Sequence, residues 1–239
     1  MQFLNKTLAT AAENLALDEA LLESAEVAPG DVEVLRLWES PQYAAVLGRS
    51  SRAADEVDLK VCHSRGIPVV RRASGGGSVV IGPGCLMYSV VLSYQRRPQL
   101  RMIERAHHFV LEVVAAAVGD LVGEVQLSGT SDLTQAGRKF SGNSLRCKRH
   151  QLLYHGTLLY DFPLELISSC LHSPPRQPEY RADRSHTEFV TNLAVPVDQL
   201  RASLIHQWRA VQLLDDWPRA RTVELTAEKF TQHKWNFGR

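Results

Sequence analysis

The spacing of apolar and polar positions changes along this chain, and each spacing predicts an element. Over residues 14–23, Leu17, Ala20 and Leu21 share one helical face, Asp18, Glu19 and Glu23 share the other, and Pro29-Gly30 marks the stop. Residues 102–121 carry a broader stripe of Ile103, Ala106, Phe109, Val110, Val113 and Ala117, which predicts a long helix against a core. Residues 53–65 read as a helix capped by Gly66, 164–171 as a short helix, 197–214 as a second long one and 226–235 as a last short one. β-Branched and aromatic runs predict strands at 32–38, Ala44–Leu47, 67–71, Val79–Ile81, 86–94, 124–127, Asp132–Gln135 and 152–160.

Residues 172–188 (HSPPRQPEYRADRSHTE) follow no period and carry three prolines and three arginines. A run of this length inside a domain is either a lid over a site or a surface excursion. No repeat, low-complexity tract or linker divides the sequence. Residues 1–239 are therefore expected to form one α+β domain, with a central mixed or antiparallel sheet flanked by helices.

Composition narrows the class. Hydrophobic residues at 44% and charged residues at 22% suit a globular enzyme. A net charge of +1 argues against a protein that coats nucleic acid. Cys62, Cys85, Cys147 and Cys170 are widely spaced with no C-x-x-C pair, which suits free thiols in a reducing compartment better than disulfides or zinc. Residues 1–10 show no secretory pattern, and the longest apolar run, 113–118, is too short to span a bilayer. A cytoplasmic protein is expected, with no nucleic-acid or membrane partner.

The candidate chemistry sits in three stretches. Ile67-Pro68-Val69-Val70 runs into Arg71-Arg72-Ala73-Ser74-Gly75-Gly76-Gly77-Ser78, a strand entering a triple-glycine turn led by two arginines. Glycine backbone can close on a flat or anionic ligand, and guanidinium forks suit phosphate or carboxylate. The stretch has the spacing of neither a Walker loop nor a dinucleotide fingerprint. The turn at Ala136-Gly137 feeds Arg138-Lys139-Phe140-Ser141-Gly142, which sets a compact ammonium beside small residues, a candidate partner for a phosphate or acyl carboxylate. His155-Gly156-Thr157 interrupts an apolar strand, and a glycine there permits close ligand approach. Taken singly, each stretch is more simply an ordinary hairpin, or a bulge beside a core histidine.

Taken in order, the segments are more specific. Asn14-Leu15-Ala16-Leu17-Asp18-Glu19, the loop at 71–78, Gly137-Arg138-Lys139 with Ser141-Gly142, and His155-Gly156-Thr157-Leu158-Leu159 resemble the lipoate–protein ligase family. Val190-Thr191-Asn192-Leu193 and Trp235-Asn236-Phe237-Gly238 extend the resemblance over nearly the whole chain. The resemblance implies the catalytic fold shared with biotin–protein ligases and octanoyltransferases. It implies that Arg71, Arg72, Ser74, Gly75, Gly76, Gly77 and Ser78 form an acyl- and nucleotide-binding loop. It makes Lys139 the catalytic lysine at the acyl carbonyl and phosphate, and Arg146 a phosphate contact. His155, Gly156 and Thr157 would line the acyl tunnel, and 172–188 would close over the adenylate. The implied reaction activates lipoic or octanoic acid with ATP and Mg²⁺ to acyl-AMP, then acylates a lysine of a lipoyl-type acceptor domain. Such acceptors are 2-oxoacid dehydrogenase subunits or a glycine-cleavage H-type protein.

Two departures keep alternatives open. The family's ligases often carry His-Asp after the glycine loop, whereas Ile81-Gly82-Pro83-Gly84 stands here, so the metal ligands are left unknown; Ser131 replaces an asparagine before Asp132-Leu133. Many bacterial ligases also have a further C-terminal domain needed for adenylation, and none is expected within residues 1–239. A separate small subunit could supply it, the chain could adenylate unaided, or it could transfer a pre-activated acyl group. The last reading is an octanoyltransferase working through a cysteine thioester without ATP. Cys170 lies in an apolar helical context, Cys147 follows Arg146 in a turn, and a buried structural thiol is the simpler reading for each cysteine. A non-catalytic acyl- or biotin-binding regulator is a third reading.

Overall fold

A computed structural model describes residues 1–28, 31–173 and 177–238. In chain order the strands are β1 (Gln2–Asn5), β2 (Val34–Trp38), β3 (Ala44–Leu47), β4 (Val69–Arg71), β5 (Val79–Ile81), β6 (Cys85–Ser93), β7 (Gln126–Ser128), β8 (Asp132–Gln135), β9 (Arg138–Cys147), β10 (Gln151–Leu159) and β11 (Gln212–Leu213). The main sheet has eight strands in the order β11-β1-β2-β6-β10-β9-β8-β7, and β4-β3-β5 form a small second sheet. β1 runs parallel to β2 and β11, while the pairs from β2 through β6, β10, β9 and β8 to β7 are antiparallel. The sheet is therefore mixed, as expected. Every residue of the central strands β6 and β10 is buried, which explains their nearly unbroken apolar runs.

The helices are α1 (Ala11–Val27), α2 (Ala53–Glu56), α3 (Leu59–Ser64), α4 (Ile103–Val122), α5 (Glu165–Cys170), α6 (His186–Phe189), α7 (Val197–Gln207), α8 (Arg219–Leu225) and α9 (His233–Phe237). Strand alternation divides the core between the two sheet faces. Leu35, Leu37, Tyr88, Leu152 and Tyr154 pack against α4 residues such as Val110 and Val114. Val34, Val91 and Leu153 point the other way, onto Leu17, Leu21 and Leu22 of α1. The small sheet shares a further apolar cluster with the N-terminal half of α1, α5 and Phe189.

Several predicted boundaries are corrected. α1 starts earlier than residue 14, because Thr10 and Glu13 form a reciprocal capping box. Its acidic face is also buried rather than solvated: Asp18 pairs with Arg36 and Glu19 with Lys229. The helix predicted over 53–65 is broken at Val57, which bridges Leu171, and at Asp58, whose N–H donates to Cys170 O and whose carboxylate caps Val61 N. The helix predicted over 197–214 ends at Gln207; Arg209 adopts φ +50°, and the chain returns as β11 beside β1. The segment 226–235 is a π-helical turn, Thr226–Phe230, followed by α9. β1 had no predicted counterpart, and β9 extends well past the stretch 138–142. The predicted stop at Pro29-Gly30 and residues 174–176 lie outside the described residues.

Candidate active site

β4 ends at Arg71, and residues 72–78 lead into β5. Arg71 is fully buried and donates to Gly48 O (2.6 Å), Ser51 O (2.7 Å), Asn236 O (2.7 Å) and Trp235 O (2.9 Å). In return Trp235 Nε1 donates to Arg71 O at 2.9 Å, and Asn236 Oδ1 accepts from Arg71 N at 2.8 Å. Helix α9 thus clamps the base of the glycine loop. Arg72 folds back over the same loop, donating to Ser74 Oγ (3.0 Å), Val46 O (3.3 Å), Gly77 O (2.9 Å) and Gly75 O. Burial pulls its pKa down to about 10, with Glu56 opposing the shift, so it stays protonated at neutral pH. Gly76 sits at φ +82°, the left-handed region that favours glycine.

From the loop a buried polar chain runs into the sheet. Ser74 Oγ lies 2.5 Å from His155 Nε2. The Asp18 carboxylate facing Nδ1 favours the tautomer with its proton there, so that Ser74 Oγ, which accepts from Arg72, donates to Nε2. That Nδ1 faces Asp18 Oδ2 at 3.6 Å and has no hydrogen-bond partner. Asp18 accepts from Arg36 (2.5 Å) and Ser89 Oγ (2.7 Å). Burial by itself would raise the Asp18 pKa, but Arg36, His155 and Ser89 together hold it below the usual range. Arg36 also donates to Asn14 O, Asn14 Oδ1 and Lys6 O. The residues 14–19 segment is therefore the buried foundation of the loop.

The second side of the site comes from the β8–β9 hairpin. Leu133 pairs with Ser141 and Thr134 with Lys139, so β9 bulges at Phe140, which drops into the core. Lys139 Nζ meets Asp132 Oδ1 at 2.7 Å, and Tyr180 OH donates to Asp132 Oδ2 at 2.7 Å. Gly142 lies against the lysine: a Cβ there would stand 2.9 Å from Nζ. Gly156 is required by packing, since a Cβ would overlap Asn143 Oδ1, which accepts from Tyr88 OH. Thr157 Oγ1 accepts from Gly142 N at 3.1 Å.

These walls enclose a cavity of about 260 Å³. Its apolar lining includes Leu15, Val46, Val80, Met87, Leu159 and Leu171. Its polar lining includes Lys139, Asp132, Asn143, Ser144, Arg181 and His186. Of the residues anticipated from sequence, Arg72, Gly76, Gly77, Ser78, Lys139, His155, Gly156 and Thr157 line it together. Arg71, Ser74 and Gly75 stand behind that surface as supports. Arg146 lies outside the lining; its Nε is buried without a partner, two residues beyond Ser144, whose hydroxyl donates to Gly75 O at 2.9 Å. Ile81 belongs to the apolar wall, and Gly82 packs on the Tyr43 ring, so neither supplies a polar group.

Asp132, Asn143 and Glu56 were not anticipated as site residues, and Arg181 and His186 only as part of the segment 172–188. Glu56 accepts from Ser78 N (2.8 Å) and Ser78 Oγ (2.7 Å), 22 residues away, and only the fold reveals the pairing. His186 is pushed below the usual histidine range by burial and by Arg181 and Lys139, against the pull of His172 O.

No cysteine lines the cavity among the described residues. Cys62, Cys85 and Cys170 are buried and Cys147 is exposed. Burial raises all three buried thiols, Cys62 to about 12.

Residues 10–207 match the family model of the lipoyl protein ligase A/B catalytic domain. The chain belongs to this family. It is 26% identical over 214 residues to lipoate-protein ligase LplJ of Bacillus subtilis, a match that covers 83% of this chain and 62% of that protein. The chain thus spans less than two thirds of the length of that relative. Its fold is that of a bipartite lipoate protein ligase from Thermoplasma acidophilum, solved in a study with its E2 lipoyl domain (TM-score 0.82, 24% identity, covering 99% of this chain and 96% of that one). It is equally that of a lipoate-protein ligase A bound with ATP (TM-score 0.81, 24% identity, covering 100% and 99%).

Proposed function

We propose that this chain is a lipoate–protein ligase, which activates lipoic or octanoic acid with ATP and passes the acyl group to a lysine of a lipoyl-type acceptor domain. The observation that carries the reading is the cavity itself, whose lining combines apolar side chains suited to a medium-length tail with Lys139 and the glycine loop. In the first step a carboxylate oxygen bonds to the α-phosphorus, the bond to the β-phosphate oxygen breaks, and pyrophosphate leaves. In the second, the acceptor amine bonds to the acyl carbon, loses a proton, and AMP departs. Both steps crowd negative charge near Lys139, whose ammonium offsets it once it exchanges Asp132 for the substrate. Arg146, with a free Nε on the loop side of β9, is the family's phosphate contact in this reading.

Asp132 and Glu56 are the residues that would hold magnesium. Mg²⁺ takes one or two carboxylates together with substrate phosphates, and Asp132 and Glu56 both line the cavity. Among the described residues no group of three His, Cys, Asp or Glu is arranged for a metal, so such an ion would come bound to its substrate. The ion would neutralise phosphate charge.

The absence of a cysteine from the lining supports the ATP-dependent reading over a thioester route. The bipartite nature of the Thermoplasma ligase supports a separate accessory subunit for adenylation. Acceptors would be 2-oxoacid dehydrogenase subunits or a glycine-cleavage H-type protein, met in the cytoplasm; no helix among the described residues is long and apolar enough to cross a membrane. The test is to incubate the chain with lipoic acid, ATP, Mg²⁺ and apo acceptor domain, with and without the accessory subunit, and to weigh the acceptor by mass spectrometry. A lipoyl mass increment that needs ATP is expected. Acylation only from octanoyl-carrier protein, without ATP, would replace the ligase by a transferase, and ligand binding without transfer would leave a regulator.

A further inference from the structure

The cavity's cations are not equally available. Arg72 spends its donors on Ser74 Oγ and three backbone carbonyls. Lys139 is neutralised by Asp132. Arg181 differs from both. It lines the cavity and is only 4% exposed, yet among the described residues it forms no ion pair. Among the described residues its side-chain hydrogen bond runs from Nε to Arg184 O at 3.0 Å, and its two terminal nitrogens have no hydrogen-bond partner.

The backbone around Arg181 is built to hold it there. Ala182 and Asp183 both adopt left-handed conformations, φ +49° and +55°, which neither residue favours and which carry a cost. That kink lets Arg181 and Arg184 bond reciprocally through each other's carbonyls, each Nε to O distance being 3.0 Å. Arg184 is then used up on Gly137 O and Tyr180 O, which ties the segment to the β8–β9 turn. Tyr180 adds a second tie, to Asp132. Phe189 supports the Arg181 guanidinium, whose carbon stands 4.9 Å from the ring centroid. A strained, doubly anchored turn that carries a buried guanidinium with two open ends is a receptor for an anion.

We propose that Arg181 is a phosphate-binding residue of this site, taking oxygens of the nucleotide with its two terminal nitrogens. This rests on the ligase reading above and sharpens it. The charge count decides between phosphate and carboxylate. An acyl carboxylate brings one negative charge, which Lys139 matches on release from Asp132. A nucleotide polyphosphate brings several; among the described residues Arg72 and Arg181 are the cavity-lining cations without a carboxylate partner, and of the two only Arg181 keeps terminal nitrogens that no backbone carbonyl takes up. Planar, bidentate recognition of phosphate oxygens is what an arginine with Nε already committed can still perform.

The test is direct binding of ATP and, separately, of lipoic acid to the full chain by calorimetry, comparing wild type with Arg181→Gln and Arg181→Lys. Glutamine retains a donor for Arg184 O while removing the charge. ATP affinity is expected to fall tenfold or more in Arg181→Gln and to recover partly in Arg181→Lys, with lipoic acid affinity unchanged within about twofold. Equal ATP affinity in wild type and Arg181→Gln overturns the proposal, as does a loss confined to lipoic acid or a wild type that binds no ATP. Because binding is read without turnover, the two ideas fail separately. A chain that binds ATP through Arg181 but lipoylates nothing sinks the ligase and keeps the phosphate site. An active ligase indifferent to Arg181 does the reverse. Equal thermal midpoints for the three proteins verify that the fold is intact.

Discussion

Asp18→Asn tests the buried polar chain beneath the glycine loop at its most heavily connected point. The substitution keeps shape and volume and removes one charge. It leaves Arg36, fully buried, with its Nη1 facing an amide instead of a carboxylate that now lies 2.5 Å away. Breaking a buried ion pair from one side costs about 3–5 kcal/mol, because the remaining charge stays desolvated. At roughly 2–4 °C per kcal/mol for a domain of this size, the thermal midpoint should fall by about 6–20 °C. The pH dependence carries a sign. The folded pKa of Asp18 is lowered, so the unfolded chain binds the proton more tightly and stability rises with pH. The contribution of Asp18 is thus present above the unfolded value near 3.8 and is lost as pH falls through the folded value. Calorimetric melts of both proteins from neutral pH to about pH 3 would show the gap closing in acid. The functional consequence travels through His155, which loses the carboxylate opposite Nδ1 and with it the preference for the tautomer that accepts from Ser74. A midpoint lowered by less than about 2 °C, or a gap that widens in acid, would refute the assignment.

Three further outcomes are expected. Lys139→Ala should lower acyl transfer by about 10²–10³-fold while leaving the melt unchanged, since the side chain is a quarter exposed; transfer at the wild-type rate removes the lysine from the chemistry. Native protein treated with a thiol reagent at pH 8 should gain one label, on Cys147, because burial keeps Cys62, Cys85 and Cys170 protonated; two or more labels before unfolding contradict this. Asn236→Ala should cost about 1–3 kcal/mol by orphaning Arg71 N, and should raise the Michaelis constants for acid and nucleotide through a looser loop. If denaturant melts show no loss of stability, α9 is not a clamp.

The fold was readable where one face of an element meets water and the other meets the core, as in α4, and where β-branched residues mark short strands such as β3 and β5. It was unreadable where burial is total. α1 buries both faces, so Asp18 and Glu19 read as a solvated stripe when each is in fact paired across the fold, with Arg36 and with Lys229. β1 and β11 are short strands that exist by pairing, β1 with β2 and, across some 200 residues of sequence, with β11, and local propensity carries no sign of that. Val57 leaves a helix because Leu171 offers it a bridge.

The site divides along the same line, and the division alters what its arginines mean. A sequence of two arginines before three glycines points to ligand charge at the loop. In the fold Arg71 is taken up by backbone carbonyls and by α9, and Arg72 by the carbonyls of the loop itself. Both therefore hold a glycine-rich backbone that has little side-chain packing of its own, and their charge is partly spent before a substrate arrives. An anionic ligand still requires positive charge in a cavity lined partly by Asp132 and Glu56. It must come from groups that can exchange a partner or lack one. Lys139 is the first kind and Arg181 the second, and they stand together because the Tyr180–Asp132 and Arg184–Gly137 contacts draw residues 177–189 onto the β8–β9 hairpin. A stretch that looks structureless by period thus supplies the charge that the glycine loop only advertises.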